Sequence, residues 1–191
     1  MAVDQEYTTQ HLLAAAVNRL LLSIGELPIE NEDEIEDILE ARLAKQVLID
    51  TKMQVLAYGF NFNKELDVPF IPDLNGNIPI PANVLSLHNA DGITIKDWML
   101  YDVENKTRIF TDPVLCDVIW NTDFNNLQYA VRNYITVKAA RIFQSKMIGD
   151  KVMYTIDEKD EQDAILLLRQ YEGFSESLNM LSFSDISVLG N

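Results

Sequence analysis

The sequence has few of the residues that build catalytic and metal-binding sites. Among its 191 residues there is one cysteine, Cys116, and there are two histidines, His11 and His88. One cysteine excludes an internal disulfide, and two isolated histidines do not by themselves form a zinc site. Only seven glycines are present, and none has the spacing of a phosphate-binding loop. We therefore predict no catalytic residue, no metal and no cofactor.

Basic residues and long apolar runs are also scarce. The chain has 15 lysines and arginines against 30 acids, for a net charge of −15, whereas phosphate binding relies on clustered basic side chains. A protein that wraps DNA is therefore not expected. No run approaches the ~18 apolar residues of a membrane helix, and the N-terminus lacks the basic and apolar regions of a signal peptide. We expect a protein that is made in the cytoplasm and has no membrane contact.

The hydrophobic residues that are present, 48% of the chain, follow helical spacing at first. Thr8 or Thr9 is predicted to cap a helix that ends at Gly25 and has an apolar stripe of Leu13, Val17, Leu20 and Ile24. Asn31 and Glu34 have the spacing of a capping box. They predict a second, antiparallel helix to about Tyr58, with a stripe of Ile35, Leu39, Leu43, Val47, Met53 and Leu56.

Between residues 59 and 122 the pattern changes to short β-branched and aromatic runs separated by prolines, which predicts a β domain. The candidate strands are Val68–Ile71, Ile78–Ile80, Val84–His88, Trp98–Val103, Arg108–Phe110 and Val114–Trp120. Turns are expected at Asn75–Gly76 and between Asp102 and Lys106.

Helical spacing returns after residue 122. Asp123 is predicted to cap a central helix with a wide apolar arc, which ends at Gly149. Thr155 and Glu158 form another capping box, which opens a last helix carried by Ala164, Ile165, Leu168 and Tyr171 and closed by Gly173. The predicted fold class is α+β, with an antiparallel helical bundle (8–58 and 123–174), an inserted small β domain (59–122) and an extended C-terminal tail (175–191).

Several candidate sites have a simpler structural interpretation. The segment Glu26–Glu40 holds eight acids and no base, which is compatible with a cation site or a DNA mimic, but acids at a helix start are favoured for dipole reasons alone. Asp73–Asn77 resembles the start of a calcium loop, yet Val84 occupies the position of the bidentate acid, so we predict a turn. His11 and His88 are expected to be structural or exposed, and Cys116 is expected to be a buried structural thiol. A hydrolase with paired carboxylates remains an alternative without a specific signal.

The central helix is basic against this acidic background. Arg132, Lys138, Arg141 and Lys146 can pair with acidic helices of the same chain or with an acidic neighbouring subunit. Either pairing is preferred over nucleic-acid contact, because the nearby Tyr134 and Phe143 suit a packed helix better than a base-stacking platform. We predict Arg132, Lys138 and Arg141 at a subunit interface.

Five short segments, in this order, resemble a known family. They are Ala16–Pro28 (AVNRLLLSIGELP), Gly59–Asn63 (GFNFN), Ile71–Asp73 (IPD), Leu85–Leu87 (LSL) and Arg132–Phe143 (RNYITVKAARIF). The chain resembles the tail tubular protein A, or head-to-tail adaptor, family of short-tailed bacteriophages of the podovirus type over residues 10–181. The matches look like fold-determining positions, and no catalytic residue is carried over from the family.

The resemblance implies a non-enzymatic, dodecameric ring in the virion tail, made in the host cytoplasm. Such a ring joins the portal protein to the nozzle (tail tubular protein B), helps to hold tail fibres and lets DNA pass without specific binding. Acidic subunits suit this role because they repel phosphate at short range. The apolar tail residues Phe183, Ile186, Val188 and Leu189 are predicted to dock onto the portal. The alternative function is an acidic, DNA-mimicking module that occupies the cleft of a basic protein.

Overall fold

The computed structural model describes residues 2–89, 92–148 and 159–173, and it has the predicted α+β architecture. The chain divides into two compact units. Residues 1–55 and 123–191 form the helical unit, and residues 56–122 form the β unit. The predicted helix end at Gly149, the capping box at Thr155 and Glu158, and the tail 175–191 lie outside the described residues.

The first helix, α1, spans Ala2–Ser23, so the prediction that Thr8 or Thr9 caps it was wrong. The six residues before Thr8 contain neither glycine nor proline, and nothing in them stops the helix from extending toward the N-terminus. His11 therefore lies inside α1 and not in its first turn.

The predicted end of α1 is confirmed. Gly25 adopts a left-handed backbone with φ +82°. Its amide donates to the carbonyl of Leu22, and the amide of Glu26 donates to the carbonyl of Leu21, both at 3.1 Å. This pair of bonds is the Schellman motif, which closes a helix where only glycine is free of steric cost.

The predicted second helix is two helices. α2 spans Glu34–Asp37, α3 spans Leu39–Leu56, and Ile38 between them is extended, with φ −101° and ψ 122°. A β-branched residue accepts such a backbone readily. Half of the predicted capping box forms, since the Glu34 carboxylate accepts the backbone N–H of Asn31 at 3.2 Å.

The buried face of α3 differs from the predicted stripe. Leu39, Leu43 and Met53 are exposed. Ile35, Val47 and Leu56 are buried as predicted, and the other buried positions of α3 are Ala41, Ala44, Leu48, Thr51, Lys52 and Val55.

The second half of the helical unit begins with a short turn. Asp123 caps the 3-10 helix η1 (Phe124–Asn126) by accepting the Asn125 amide at 2.9 Å, so it does not cap the long helix as predicted. That helix, α4, spans Tyr129–Met147 and packs against α1. Ten of its residues are buried, which confirms the wide apolar arc. Residues 159–173 are helical (α5), and Ala164 and Leu168 are buried as predicted.

The β unit contains a three-stranded antiparallel sheet in the order β1-β5-β2. β1 spans Lys64–Phe70, β2 spans Val84–His88 and β5 spans Val114–Trp120. The bounds of β2 and β5 are those predicted, whereas β1 begins four residues earlier than expected. β1 pairs with β5 through an irregularity between Glu65 and Val68, and Asp67 there has φ +53°.

A separate two-stranded sheet pairs β3 (Ile93–Lys96) with β4 (Met99–Asp102). The sequence prediction missed β3. It also assigned a strand at Ile78–Ile80, where the structure has only an isolated bridge from Pro79 to Met99, and one at Arg108–Phe110, where the structure has neither strand nor bridge. The backbone of Ile78 and Ile80 bonds to that of Leu100 and Trp98, and the amide of Phe110 donates to the carbonyl of Gly76 at 2.8 Å.

Both sheets contribute to the interior of the β unit. Its core consists of Phe70, Ile78, Ile80, Val84, Leu100, Val114, Cys116 and Val118. Among the described helices of the chain, none combines the length and the hydropathy that crossing a membrane requires.

Candidate interaction surfaces

The basic side chains of α4 hold the helical unit together. The Arg132 guanidinium donates to the carbonyl of Leu127, which ends η1, and to that of Asn125 at 3.5 Å. Both carbonyls lie just before α4 and have no helical partner. Arg132 therefore fixes the connection between η1 and α4.

Lys138 and Arg141 lie on the next turns of the helix. The Lys138 ammonium is 5.5 Å from the ring centroid of Tyr134 and 3.4 Å from its hydroxyl. Arg141 forms an ion pair with Glu161 of α5, and both side chains are largely shielded from solvent. A shielded pair resists salt screening better than an exposed one.

The structure therefore gives Arg132 and Arg141 contacts within their own chain. The pairing of Arg141 with Glu161 is one of the two that the sequence left open, whereas the partners of Arg132 are backbone carbonyls. A contact of Arg132, Lys138 and Arg141 with a neighbouring subunit stays a prediction.

Polar side chains of α1 and α4 anchor the segment that follows α1. The Asn18 side chain accepts the amide of Ile29 at 2.8 Å and donates to the carbonyl of Ile29 at 3.0 Å. Gln144 of α4 donates to the carbonyl of Ser23 at 2.9 Å. Asn18 and Gly25 both lie in the segment Ala16–Pro28, so that family-like segment encodes the end of α1 and the path of the chain after it.

The acidic segment Glu26–Glu40 is mostly solvated. Its Glu36 forms an ion pair with Lys45 at 2.6 Å, and the hydrogen bond from Lys45 lowers the pKa of the Glu36 carboxyl. In the part of the chain that the structure describes, no group of acids, histidines or cysteines is arranged to hold a metal ion. The same segment exposes apolar side chains, namely Leu27, Ile38 and Leu39.

The segment Gly59–Asn63 is held by a buried amide that sequence inspection did not single out. Asn63 is 2% exposed. Its Nδ2 donates to the carbonyls of Leu56 and Trp120 at 3.0 and 2.9 Å, and its Oδ1 accepts the Phe60 amide at 2.9 Å. One side chain thus ties the end of α3, the following turn and β5 together within the β unit.

A buried lysine in α3 was also missed by sequence inspection. Lys52 is 6% exposed. Burial lowers the pKa of its ammonium group, and the charge of Asp123 opposes that shift. A polar residue inside an otherwise apolar helix face is the signal that would have marked it.

The tip of the β3–β4 hairpin is the least expected feature of the β unit. Lys96 is in register with Met99, so Asp97 and Trp98 form a two-residue turn. Both have a left-handed backbone, with φ +55° and +59°. Turns of this kind favour Asn-Gly, because a Cβ is strained there. Trp98 is nevertheless 65% exposed at the tip.

The other candidate residues from the sequence lie in a turn, at the end of a strand or in the core. Asp73 accepts the amides of Asn75 and Asn77 at 2.8 and 2.9 Å, which confirms a turn at the calcium-like sequence. His88 is exposed at the end of β2. Cys116 is buried, and burial raises the pKa of its thiol. The predicted portal-binding residues Phe183, Ile186, Val188 and Leu189 lie outside the described residues.

Comparison with known proteins agrees with the sequence resemblance at the level of the family. A search among curated proteins finds no match. A family model described as "tail tubular protein" matches residues 14–178, which is most of the chain. That span includes the second half of α1, the β unit and α4, and so includes the segments whose structural roles are given above. The chain therefore belongs to the tail tubular protein family, the structural components of phage tails.

Proposed function

We propose that the protein is the head-to-tail adaptor, type A of the tail tubular proteins, of a short-tailed bacteriophage. Its copies form a closed, dodecameric ring between the portal and the nozzle, tail tubular protein B, with tail fibres held at the outer margin. The observation that carries the proposal is the family match over residues 14–178. The role is structural and needs no catalytic group.

The charge of the chain supports a conduit for DNA. Each copy has a net charge of −15, and a ring of such copies repels phosphate within about 8–10 Å, the Debye length at physiological salt. DNA then slides through the ring without binding. The basic residues of α4 do not oppose this, because Arg132 and Arg141 are engaged by groups of their own chain.

The contacts of the ring are proposed as follows. Arg132, Lys138 and Arg141 are partly exposed, which supports a place for them near the contact between subunits. Phe183, Ile186, Val188 and Leu189 dock onto the portal, because a cluster of apolar side chains is typical of a protein–protein contact. A closed ring requires that one face of each subunit meets a different face of the next.

Electron microscopy of the protein mixed with purified portal particles tests the proposal. We expect a closed ring on the tail-facing side of the portal, coaxial with its channel. Removal of residues 182–191 should weaken portal binding at least tenfold while leaving the monomer folded. The control replaces Ser184 and Ser187 with alanine and should bind like the parent. Equal binding by the truncated protein would reject the tail assignment.

The two alternatives give different outcomes. A DNA mimic would saturate one basic partner at a defined stoichiometry and would form no ring on a portal. A hydrolase with paired carboxylates would show turnover that disappears when one acid is replaced. Either result would refute the adaptor.

A further inference from the structure

The stability of the hairpin does not account for a tryptophan at position 98. A residue with a Cβ at positive φ costs about 1–3 kcal/mol in backbone strain, and glycine would form the turn without that cost. Burial does not offset the strain either, because Trp98 is mostly exposed. A bulky aromatic residue at this position therefore indicates a contact that the isolated chain does not make.

The hairpin tip is rigid before any partner binds. The carbonyl of Trp98 accepts the amide of Ile80 at 2.9 Å, and the amide of Leu100 donates to the carbonyl of Ile78 at 3.0 Å. Leu100, two residues after Trp98, is fully buried. A preorganised aromatic side chain loses little conformational entropy on binding, and exposed tryptophan is enriched among the residues that dominate interface energy.

The surroundings of Trp98 are polar and slightly basic. Asp97 forms an ion pair with Arg108. The Lys96 ammonium lies 4.8 Å from the ring centroid of Tyr101. The residues beside Trp98 and their ionic partner thus include two bases and one acid, on a chain that is strongly acidic as a whole. An acidic protein surface with an apolar centre is the complementary partner.

The helical unit carries a surface with these properties, which we call the acceptor patch. It consists of Leu39 and Leu43 of α3 with the acids Glu34, Glu36, Asp37 and Glu40. Leu39 is 54% and Leu43 41% exposed. They are four residues apart and so share one face of the helix. Residues 34–45 include four acids and two bases, Arg42 and Lys45, and although Lys45 pairs with Glu36 the segment stays net acidic. An apolar centre with an acidic rim therefore complements an aromatic centre with a basic rim.

We propose that the Trp98 tip of one copy binds the acceptor patch of a second copy of this chain. The two surfaces are different, so the contact is heterologous and leaves one tip and one patch free at the ends of any open assembly. This inference names a contact within the proposed ring, but it concerns only the association of copies and is independent of the portal.

A mixing experiment tests the pairing directly. Trp98→Gly removes the tip side chain and relieves the strain, so the variant should fold at least as stably as the parent. Leu39→Ser with Leu43→Ser removes only exposed apolar groups of the patch. Sedimentation velocity at low salt should show that each variant associates at least about thirty-fold more weakly than the parent, the loss typical of a dominant interface residue.

The mixture of the two variants should form a one-to-one dimer and nothing larger. The patch variant supplies an intact tip, the tip variant supplies an intact patch, and the resulting dimer exposes only the defective surfaces. The matched control is Val103→Ala, which shortens an exposed apolar side chain just after β4 and should associate like the parent. Association should also weaken as salt is raised.

Three results would overturn the inference. They are a parent that stays monomeric at every concentration, a Trp98→Gly variant that associates like the parent, and a mixture that forms no dimer. These outcomes are separate from those for the adaptor role. If the copies pair as described but no ring forms on a portal, the adaptor role fails and the pairing stands.

Discussion

Replacing Asn63 should unfold the β unit much more easily. Its side chain makes three buried hydrogen bonds, to Leu56, Phe60 and Trp120. Each bond contributes about 1 kcal/mol net, and more where its partner is left buried without a substitute. Asn63→Ala should therefore lower the free energy of unfolding of the β unit by about 3 kcal/mol.

Tryptophan fluorescence can follow this effect selectively, because both tryptophans, Trp98 and Trp120, lie in the β unit. At about 1–1.5 kcal/mol per molar urea for so small a unit, the fluorescence midpoint should fall by about 2 M or more. The control is Asn83→Ala, which removes an exposed amide of the same unit and should change the midpoint little. A shift for Asn63→Ala no larger than that of the control would refute the reasoning.

The nature of the bonds can be tested with Asn63→Asp. The carboxylate can still accept the Phe60 amide, but it faces the carbonyls of Leu56 and Trp120 without a proton to donate. The aspartate variant should thus be less stable than the alanine variant at neutral pH. The difference should shrink as the pH falls, because protonation restores one donor.

Two further predictions concern backbone space and buried charge. In urea unfolding, Gly59→Ala should destabilise the β unit more than Gly92→Ala. Both glycines have positive φ, but only the Cβ added at residue 59 would meet a neighbour, Ile119, at 2.7 Å. Equal losses of stability would show that backbone strain alone matters. Burial lowers the pKa of Lys52 below its ordinary 10.5, so the unfolded chain binds this proton more tightly than the folded chain. The contribution of Lys52 to the free energy of unfolding therefore becomes more favourable as the pH rises toward 10.5. Any advantage of Lys52→Met over the parent in thermal unfolding should be greatest at neutral pH and shrink toward pH 10.5, and a difference independent of pH would contradict this.

The sequence by itself determined the features that depend on local periodicity. The strand bounds Val84–His88 and Val114–Trp120, the glycine end of α1 and the wide apolar face of α4 were all predictable. Each reflects the repeat of a strand or helix, or a backbone that only glycine adopts easily. The α+β class followed from the same patterns.

The tertiary structure decided which of several acceptable local patterns is used. α3 has two apolar faces in sequence, and packing chose the face with Ala41 and Ala44 over Leu39 and Leu43. The strand β3 is four residues long and depends on its partner β4. Such choices depend on contacts between residues distant in sequence, which periodicity does not contain.

The candidate contact residues show the same division. Sequence inspection identified the basic residues of α4, but only the fold showed that Arg141 pairs with Glu161 and that Arg132 binds the carbonyls before the helix. Trp98 carried no turn signal, because tryptophan is disfavoured at positive φ. Its position at an exposed tip results from the register of β3 with β4 and from the hydrogen bond between the Ile80 amide and the Trp98 carbonyl. Both exist only in the folded chain.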